Sequence, residues 1–158
     1  MFHIRKTFPS DILQLMKIEY SANQAFAQIP QLKWLAESVV MSSDQHLDLI
    51  QNHDAFVAVN AQNQVIGFLY AEKQEDDLYI IEVDVSSEYQ KQGIGRQLMF
   101  HAIDFAKQQG FQAVTLTTFT DVAWNRPFYE KLGFELLNPQ NLKPYLKQKI
   151  DNEVEHGF

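Results

Sequence analysis

The sequence predicts an α/β (α+β) fold, a sheet flanked by helices, on three observations. Strand-like alternation and helix-like periodicity follow one another along the chain, beginning with a short strand and a helix. Residues 55–71 have the pattern of two strands joined by a tight turn. An apolar strand that ends at Val85 leads into a polar loop containing Gly93 and Gly95, and a strong helical pattern follows at once.

The N-terminal half is predicted to contain three strands and two helices. Pro9-Ser10-Asp11 has the residues of a helix start, and Ser43-Asp44 is the predicted cap of the next helix. The turn chemistry of Asn60-Ala61-Gln62-Asn63 joins two strands as a hairpin. Over 20–40 the helical pattern is broken by Pro30. The predicted bounds are Phe2–Lys6 for the first strand, Ile12 through Glu19 for the first helix, Ser43 through Ile50 for the second, and Ala55–Val59 and Val65–Ala71 for the hairpin strands.

The C-terminal half is predicted to alternate strands and helices. The acidic turn Glu75-Asp76-Asp77 is expected to be a solvated loop. The third helix should end at Gly110, which suits a left-handed stop, and the fourth at Gly133. Asp121 or Asn125 is the predicted cap of that fourth helix. The predicted strands are Leu78–Val85, Ala113–Phe119 and one that starts at Phe134, and a last helix runs from Leu142 through Val154.

Length and composition indicate one globular domain over 1–158, with 46% hydrophobic and 21% charged residues. No apolar run approaches the roughly 20 residues of a membrane span, and the N-terminus lacks the apolar segment of a secretory signal. The chain contains no cysteine, which excludes disulfides, thiolate nucleophiles and cysteine-ligated zinc. We therefore expect a soluble, cytoplasmic protein.

The charge balance of 13 basic against 20 acidic residues gives a net charge of −7. Without a basic stripe, this balance argues against nucleic acid as the main partner. The acidity would suit a cationic substrate, although net charge also serves simply to keep a protein in solution. The five histidines are scattered without the spacing of a metal site, so no metal is predicted. No Gly-x-Ser-x-Gly elbow supports a hydrolase.

The loop before the third helix has the features of an anion site. A helix start leaves backbone N–H groups without intrahelical partners, and the helix dipole adds partial positive charge there. Gly93 and Gly95 let a phosphate approach the main chain, and Lys91 and Arg96 add formal charge. The alternative is that the glycines only shape the turn. A P-loop and a dinucleotide fingerprint are excluded by spacing, since the third glycine of the latter falls on Leu98.

Two segments carry a resemblance to a known family. Gln90-Lys91-Gln92-Gly93-Ile94-Gly95 resembles the Gln/Arg-x-x-Gly-x-Gly/Ala acetyl-CoA signature of the GNAT acetyltransferase superfamily. The stretch Trp124-Asn125-Arg126-Pro127-Phe128-Tyr129-Glu130-Lys131-Leu132-Gly133-Phe134 resembles the Asn…Tyr-Glu-Lys-Leu-Gly-Phe segment after that family's fifth strand. Their order and separation also match, and the likeness extends in outline from about Phe2 to Phe134.

The resemblance implies a GNAT fold, with a mixed, mostly antiparallel sheet of six to seven strands that splays between strands four and five. The sequence departs from the family after Leu137, where no β-rich run supplies a seventh strand. The edge of strand six would then need cover from the C-terminal helix or from a second subunit. We therefore expect a homodimer.

The resemblance implies acetyl-CoA as the cosubstrate, bound through its pyrophosphate at the start of the third helix. The backbone N–H of Val83 or Val85 would meet the thioester carbonyl where the strands splay. Asn125 would bind the pantetheine arm, or else serves only as the helix cap. The expected cosubstrate contacts are Val83, Asp84, Val85, Gln90, Lys91, Gln92, Gly93, Ile94, Gly95, Arg96 and Asn125.

The resemblance also suggests catalytic residues. Glu82 is the first candidate for the general base, because related acetyltransferases often place a carboxylate in strand four, and Asp84 is the reserve. The two share a face of a regular strand, but a bulge, common in the family here, would change the parity. Either could instead be merely solvated. Tyr129 occupies the position of the family's general acid, its pKa of about 10 keeping it protonated. The alternative role is that of a core tyrosine.

The resulting hypothesis is an N-acetyltransferase that moves an acetyl group from acetyl-CoA to a primary amine, a small cationic molecule, by direct attack. The alternatives are a protein N-terminal or lysine acetyltransferase and a non-catalytic acyl-CoA sensor. In the resembled family, the region that corresponds to residues 20–40 forms part of the wall of the acceptor-binding pocket. Tyr20, Phe26 and Trp34 could line such a pocket, although aromatic residues at these spacings more often belong to a core.

Overall fold

The computed structural model describes residues 1–23, 41–117, 125–135, 137 and 142–155, with the backbone alone at 23, 125–127 and 151–155. The chain divides into two compact units, Met1–Val114 and Thr115–Phe158. A single domain over the whole chain stays a prediction. No helix in the described ranges is both long enough and apolar enough to cross a membrane.

Strands and helices follow one another in the predicted order. The strands are β1 (Phe2–Lys6), β2 (Asp54–Asn60), β3 (Val65–Gln74), β4 (Asp77–Val85) and β5 (Ala113–Thr115). The first unit also contains the helices α1 (Ile12–Asn23), α2 (Ser43–Asn52) and α3 (Ile94–Gln108). The second unit contains α4 (Asn125–Lys131) and α5 (Pro144–Glu155). The α/β class and the predicted C-terminal helix are confirmed.

The sheet is mixed and mostly antiparallel, as expected, with the order β1-β2-β3-β4-β5. The three pairings from β1 to β4 are antiparallel. The Gln112 N–H donates to the Asp76 carbonyl at 2.8 Å, so β5 starts beside the start of β4 and the two strands run parallel. Among the described residues there are five strands, so the prediction of six to seven is corrected.

The predicted sixth strand does not form at Phe134 and Glu135. The physical reason is that the Phe134 N–H donates back to the Tyr129 carbonyl at 3.1 Å, as part of the end of α4, and is not available to a strand ladder. Gly133, with φ of +96°, makes that helix end possible, as predicted. The homodimer, which was inferred from an open edge of strand six, stays a prediction.

The hairpin of β2 and β3 forms as predicted, and one side chain organises its turn. The Asn60 Oδ1 accepts hydrogen bonds from the N–H groups of Gln62 at 3.0 Å and Gln64 at 2.9 Å. Asn63 adopts a left-handed φ of +62°. The other predicted turn is corrected in part, because Asp77 is buried at the start of β4, with 1% of its surface exposed. Glu75 takes the left-handed φ there, at +55°.

Helix termini lie within about one turn of the predicted ones, and the cap of α2 differs from the prediction. The Ser42 Oγ accepts from the Gln45 N–H at 3.2 Å, and the Gln45 side chain accepts from the Ser42 N–H at 2.8 Å. This capping box makes Ser42 the cap, not Ser43-Asp44. At the other end of the unit, α3 ends as predicted with Gly110 at φ +80°.

The start of α1 depends on a partly buried ion pair. The Arg5 guanidinium donates to both carboxylate oxygens of Asp11, at 2.9 and 3.0 Å, and the Phe8 N–H donates to the same carboxylate at 2.8 Å. Burial raises the pKa of Asp11, but these bonds outweigh it and hold the pKa below its usual range. The ion pair therefore ties β1 to the helix that follows it.

Helices cover both faces of the sheet. Leu15 and Ile18 of α1 and Ile50 of α2 pack on Val57 and Tyr70 on one face. On the other face α3 packs through the predicted apolar stripe, of which Ile94, Leu98, Met99, Ala102 and Ala106 are buried. This arrangement leaves β4 with one face toward α1 and α2 and one toward α3.

Gly67 in β3 sets how closely α3 approaches the sheet. A Cβ at this position would lie 3.1 Å from Cγ2 of Ile94, 3.2 Å from the Asp84 carbonyl oxygen and 3.3 Å from Cδ1 of Leu98. These separations are tighter than ordinary contacts, and the carbonyl belongs to a strand that cannot shift freely.

We expect Gly67→Val to lower the free energy of unfolding by about 1–3 kcal/mol, because the added methyl groups force α3 away from the sheet. Urea denaturation followed by circular dichroism measures the change. Ala113→Val, at an exposed position of β5, is the control and should change stability by no more than about 0.5 kcal/mol. Equal stability of the Gly67 variant and the wild type would contradict the close packing.

Candidate active site

The N-terminus of α3 presents free main-chain donors to solvent. The first intrahelical hydrogen bond in this helix runs from the Gln97 N–H to the Gly93 carbonyl at 3.0 Å, so the N–H groups of Ile94, Gly95 and Arg96 have no acceptor within the helix. Gly93, the cap, has φ of +83°, and a Cβ there would meet nothing within 4 Å. The space over the helix start is therefore open.

The loop before α3 is anchored at several points. The Ser86 N–H donates to the Ile66 carbonyl at 2.9 Å, and the Ser87 N–H donates to Oγ of Ser21 in α1 at 3.2 Å. The Gln90 side chain donates to the Val85 carbonyl at 3.3 Å. Lys91 adopts a left-handed φ of +64°, which is uncommon for a residue with a side chain. Such local strain persists where the surroundings fix the backbone.

The predicted cosubstrate residues in the loop and at the start of α3 differ in how far their side chains are exposed. Gln90, Lys91, Gln92, Gly93 and Arg96 are exposed around the helix start. Ile94 is not, since only 2% of its surface is exposed and its side chain belongs to the core. Of the predicted contacts from Ile94, therefore, only the backbone N–H is available to a ligand.

A bulge in β4 determines the side of the sheet on which its carboxylates lie. Tyr70 pairs with Glu82 but Ala71 pairs with Ile80, so Ile81 is the extra residue. The bulge precedes Glu82, and the strand is regular from Glu82 onward. Glu82 and Asp84 therefore share a face, the one toward α1, as predicted for a regular strand.

Glu19 of α1 joins this pair. Carboxylate oxygens of Glu19, Glu82 and Asp84 all lie within 4.8 Å of one another. One oxygen each of Glu82 and Asp84 is fully buried without a hydrogen-bond partner in the described part of the chain. These three residues form what we call the carboxylate cluster, whose oxygens are close enough to contact one cation.

Two groups contact Glu19 directly, and a third contacts one of these two. Its Oε1 accepts from the Met41 N–H at 2.8 Å and lies 3.4 Å from Nε2 of His46 in α2. The other ring nitrogen of His46, Nδ1, lies 2.7 Å from the hydroxyl of Tyr70 in β3. His46 and Tyr70 are both completely buried. The cluster thus rests on a buried chain of polar groups that crosses three elements.

The proximity of three carboxylates shifts their proton affinities in different directions. Burial, and then the charges of Asp84 and Glu19, raise the pKa of Glu82 well above its usual range. Burial raises the pKa of Asp84 to about 7, with the Glu19 charge adding to the shift and a hydrogen bond from Glu82 opposing it. Burial also raises the pKa of Glu19, but its polar contacts with His46, Glu82 and the Met41 N–H outweigh this effect and lower the pKa. Glu82 therefore holds a proton more readily than an ordinary glutamate, whereas Glu19 loses its proton more readily.

The sequence did not identify Glu19, His46 and Tyr70 as functional residues. A usable signal existed for two of them. Glu19 follows Leu15 by one helical turn and so stands on the apolar face of α1, and His46 stands one turn before Ile50 on the apolar face of α2. Charged or polar residues on such faces are buried, and buried polar groups need partners.

The second unit contains the two other predicted site residues. Tyr129 is half-buried in α4, with ring contacts to Phe128 at 5.1 Å and Phe134 at 5.9 Å between centroids. Asn125 is the first residue of α4, so the helix cap precedes it, and Asp121, the alternative cap, lies outside the described residues. Tyr20 is exposed on α1, whereas Phe26 and Trp34 also lie outside the described residues.

We expect the thermal stability to fall as pH rises from about 5.5 to 8. Folded Asp84 has a pKa of about 7, against about 3.9 for an unfolded aspartate. Between these values the folded state binds more protons, so the free energy of unfolding decreases as pH rises, and Glu82 acts in the same direction. Asp84→Asn cannot titrate and should flatten the dependence, as measured by melting temperatures at both ends of the range.

Asp48→Asn is the control, because it removes an exposed carboxylate from α2. It should keep the wild-type pH dependence. A slope that is the same for the wild type and the Asp84 variant would show that the buried carboxylate does not titrate in this range.

Comparison with known proteins supports this reading of the fold. The family model described as "Acetyltransferase (GNAT) family" matches residues 14–134. The solved PaiA N-acetyltransferase of Thermoplasma acidophilum, in complex with coenzyme A, superimposes with a TM-score of 0.75 at 20% identity, covering 87% of this chain and 91% of that one. The ribosomal-protein-S18-alanine N-acetyltransferase of Escherichia coli has a TM-score of 0.71 at 21% identity, covering 87% and 80%.

Curated sequences match over shorter stretches. The chain is 29% identical over 90 residues to the probable N-acetyltransferase camello of Xenopus laevis, covering 55% of this chain and 41% of that protein. It is 32% identical over 105 residues to the streptothricin acetyltransferase of Streptomyces lavendulae, covering 65% and 54%. The matched parts thus span roughly half of those relatives or less. Because the family model covers more than half of the sequence, the chain belongs to the GNAT family of acetyltransferases.

Proposed function

We propose that the chain transfers an acetyl group from acetyl-CoA to a primary amine, a small cationic molecule, by direct attack of the amine on the thioester. The observation that carries this proposal is the position of the carboxylate cluster on β4. The same strand leads directly into the open anion-binding start of α3. Glu82 and Asp84 would thereby lie at the end of the strand that leads to the proposed phosphate site.

The residues around α3 fit the cosubstrate. A pyrophosphate would accept from the free N–H groups at the helix start, and the open space at Gly93 admits it. Lys91 and Arg96 are exposed nearby and add positive charge. When bound, acetyl-CoA supplies an acetyl thioester, an electrophilic carbon with a good leaving group. The complex of the Thermoplasma PaiA protein with coenzyme A supports this assignment.

A backbone N–H of Val83 or Val85 would stabilise the oxyanion that forms when the amine attacks. Such a donor must not be consumed by a neighbouring strand. In the described part of the chain β5 has three residues against nine in β4, and it starts beside the start of β4. The short pairing supports a splay of the two strands near Val83. One preorganised donor contributes about 3 kcal/mol in comparable sites.

The carboxylate cluster would remove the proton from the attacking ammonium. An alkyl ammonium has a pKa of about 10.4 and needs an acceptor at neutral pH. The pKa of Glu82, the first candidate from sequence, is raised well above its usual range, and the pKa of Asp84 is raised to about 7, both chiefly by burial. Because the two titrate as a coupled pair, we assign the role of base to the pair.

Tyr129 is the proposed general acid. A phenol stays protonated at neutral pH and can donate to a departing thiolate, whose conjugate acid has a pKa of about 8.5. The ring contacts with Phe128 and Phe134 would fix its orientation within the second unit.

The proposal is tested by free-thiol release from acetyl-CoA across polyamines, aminoglycosides, amino acids and short peptides. Turnover of cationic small amines above the other groups is the expected result. Preferred turnover of peptides would instead indicate a protein acetyltransferase. Tight coenzyme A binding without turnover of any acceptor would indicate a sensor.

Gly93→Val should abolish most of the thermal stabilisation by coenzyme A. A ligand at about 100 times its Kd stabilises a fold by roughly 2.7 kcal/mol, and a β-branched residue at φ +83° distorts the loop and covers the helix start. Differential scanning fluorimetry with and without coenzyme A measures the shift. Gly110→Val is the matched control, since Gly110 has φ of +80° and open space at the other end of α3. An unchanged shift in the Gly93 variant would remove this site assignment.

Tyr129→Phe should lower kcat by about 10²–10⁴-fold while leaving stability and acetyl-CoA affinity nearly unchanged, because it removes one proton donor and keeps the ring. Thiol release is measured under conditions where chemistry limits the rate. Tyr145→Phe is the control, because the Tyr145 hydroxyl pairs with Thr115 at 2.6 Å and has no proposed role in the reaction. Wild-type kcat in the Tyr129 variant would mean that water protonates the thiolate.

A further inference from the structure

The carboxylate cluster lies where the apolar core beneath α1 ends. Glu19 enters it from α1, and Glu82 and Asp84 enter it from β4. Leu15 and Ile18, on the preceding turns of α1, are buried in apolar surroundings. Carboxylates in such a position are costly unless they are neutralised or paired.

The described partners do not complete this pairing. A protonated Glu82 has one O–H to donate, yet it faces carboxylates on both sides. Buried oxygens of Glu82 and Asp84 lack hydrogen-bond partners among the described residues. Independently, the side chain of His46 is completely buried and directs Nε2 toward Glu19 at 3.4 Å, with no hydrogen-bond partner for that atom in the described ranges. The cluster therefore combines buried carboxylate oxygens of Glu82 and Asp84 with a buried ring nitrogen of His46, none of which has a hydrogen-bond partner among the described residues.

We propose that Glu19, Glu82 and Asp84 together form a binding subsite for a primary ammonium group, and that His46 positions Glu19 for this purpose. The inference rests on the proposed function and deepens it, since it names the chemical group of the acceptor that the site recognises. It also assigns a binding role to α1, which lies outside both sequence signatures.

The geometry suits an ammonium ion. A primary ammonium has three N–H donors in a tetrahedral arrangement. With charge-assisted bonds of about 2.8 Å, the three acceptor oxygens would be separated by about 4.6 Å. The oxygens of the cluster lie within 4.8 Å of one another, so the three side chains converge on one place from which all of them can reach a single nitrogen. Quaternary ammonium ions have the same charge but no N–H donor and do not satisfy the three acceptors.

A divalent metal ion suits the cluster less well. Calcium takes six to eight oxygen ligands and magnesium demands six in octahedral geometry. The cluster offers three carboxylates, and burial raises the pKa of Glu82 well above its usual range, which disfavours the ionised form that a divalent ion requires. A single positive charge with three donors matches both the number of acceptors and the charge.

Proton movements balance in the resulting reaction. Binding of the ammonium favours the ionised forms of Glu82 and Asp84, which release protons to solvent. One carboxylate then takes a proton from the ammonium, and the nitrogen lone pair forms the new C–N bond with the acetyl carbon. The C–S bond breaks, the nitrogen loses its second proton, and the thiolate gains one. An ammonium ion and a thioester thus become an amide, a thiol and one proton released to solvent.

His46 acts on the acceptor only through Glu19. Tyr70 contacts one ring nitrogen, and burial, with the charges of Glu82 and Glu19, raises the pKa of its hydroxyl so that it remains a neutral partner. The second ring nitrogen then faces Glu19. The titratable groups around the cluster are Glu19 from α1, His46 from α2, Tyr70 from β3, and Glu82 and Asp84 from β4.

The test is isothermal titration of the full chain with 1,4-diaminobutane at pH 7, in PIPES and in MOPS buffers, which carry no primary ammonium group, with and without coenzyme A. We expect binding accompanied by release of up to about one proton, seen as a buffer-dependent enthalpy. Tetramethylammonium and calcium chloride at equal ionic strength should not bind in this way. Affinity should rise between pH 6 and pH 8, since Asp84 has a pKa of about 7 and loses its proton in this range.

Variants separate the contributions of the residues. Glu19→Gln keeps an acceptor for the Met41 N–H and should raise the Kd of the diamine at least about tenfold, the scale of a lost charged hydrogen bond. Glu19→Asp should retain part of the affinity, and Asp48→Asn all of it. His46→Leu should raise the Kd and the KM of the amine without changing the thermal shift by coenzyme A. His46→Gln, which retains a donor toward Glu19, should restore much of the affinity.

Three results would overturn the subsite: undiminished binding in Glu19→Gln, absence of proton release, or calcium binding in place of the diamine with the same dependence on Glu19. The melting temperature of each variant shows whether it is folded. If Glu19→Gln is not folded, the Kd of the diamine is compared between the wild type and Glu19→Asp instead. Diamine binding as expected without thiol release from acetyl-CoA would leave the subsite standing and remove the proposed function. Thiol release with an amine KM that does not change in the Glu19 variants would support the proposed function and remove the subsite.

Discussion

One extra residue in β4 determines where the chemistry of this protein can occur. Because Ile81 is bulged, Glu82 and Asp84 stand on the face toward α1, and Val83 and Val85 stand on the face toward α3. With regular pairing throughout the strand, both carboxylates would lie in the apolar layer under α3. The bulge thus places both carboxylates next to Glu19 and away from the apolar core under α3.

The electrostatic state of the site follows from this placement. Three carboxylates at the end of an apolar layer cannot all be ionised, so protons are distributed according to the hydrogen bonds each one has. A hydrogen bond from the Met41 N–H and a contact with His46 lower the pKa of Glu19, while burial and the charges of Asp84 and Glu19 raise the pKa of Glu82. The Met41 N–H and the buried His46 therefore make Glu19 the acid of the cluster that loses its proton most readily.

Much of the fold and one part of the site could be predicted from sequence. Periodicity located the helices and the first four strands to within a few residues, and the glycine spacing located the start of α3. The bulge could not be deduced from residue types, because Ile80 and Ile81 suit either register. Glu19 and His46 were missed because their proximity to β4 is a long-range contact, although each stands on an apolar helix face. The strand count was too high because Phe134 is held by the end of α4.

The position of Glu19 has a consequence for how this protein could diverge. In the proposed function the cosubstrate binds at main-chain groups at the start of α3, whereas the third acid of the cluster belongs to α1. A single exchange at Glu19 would then alter the proposed acceptor pocket and leave the main-chain donors of α3 intact. The two halves of the proposed reaction would depend on separate elements, so that α1 could diversify under selection for a new acceptor.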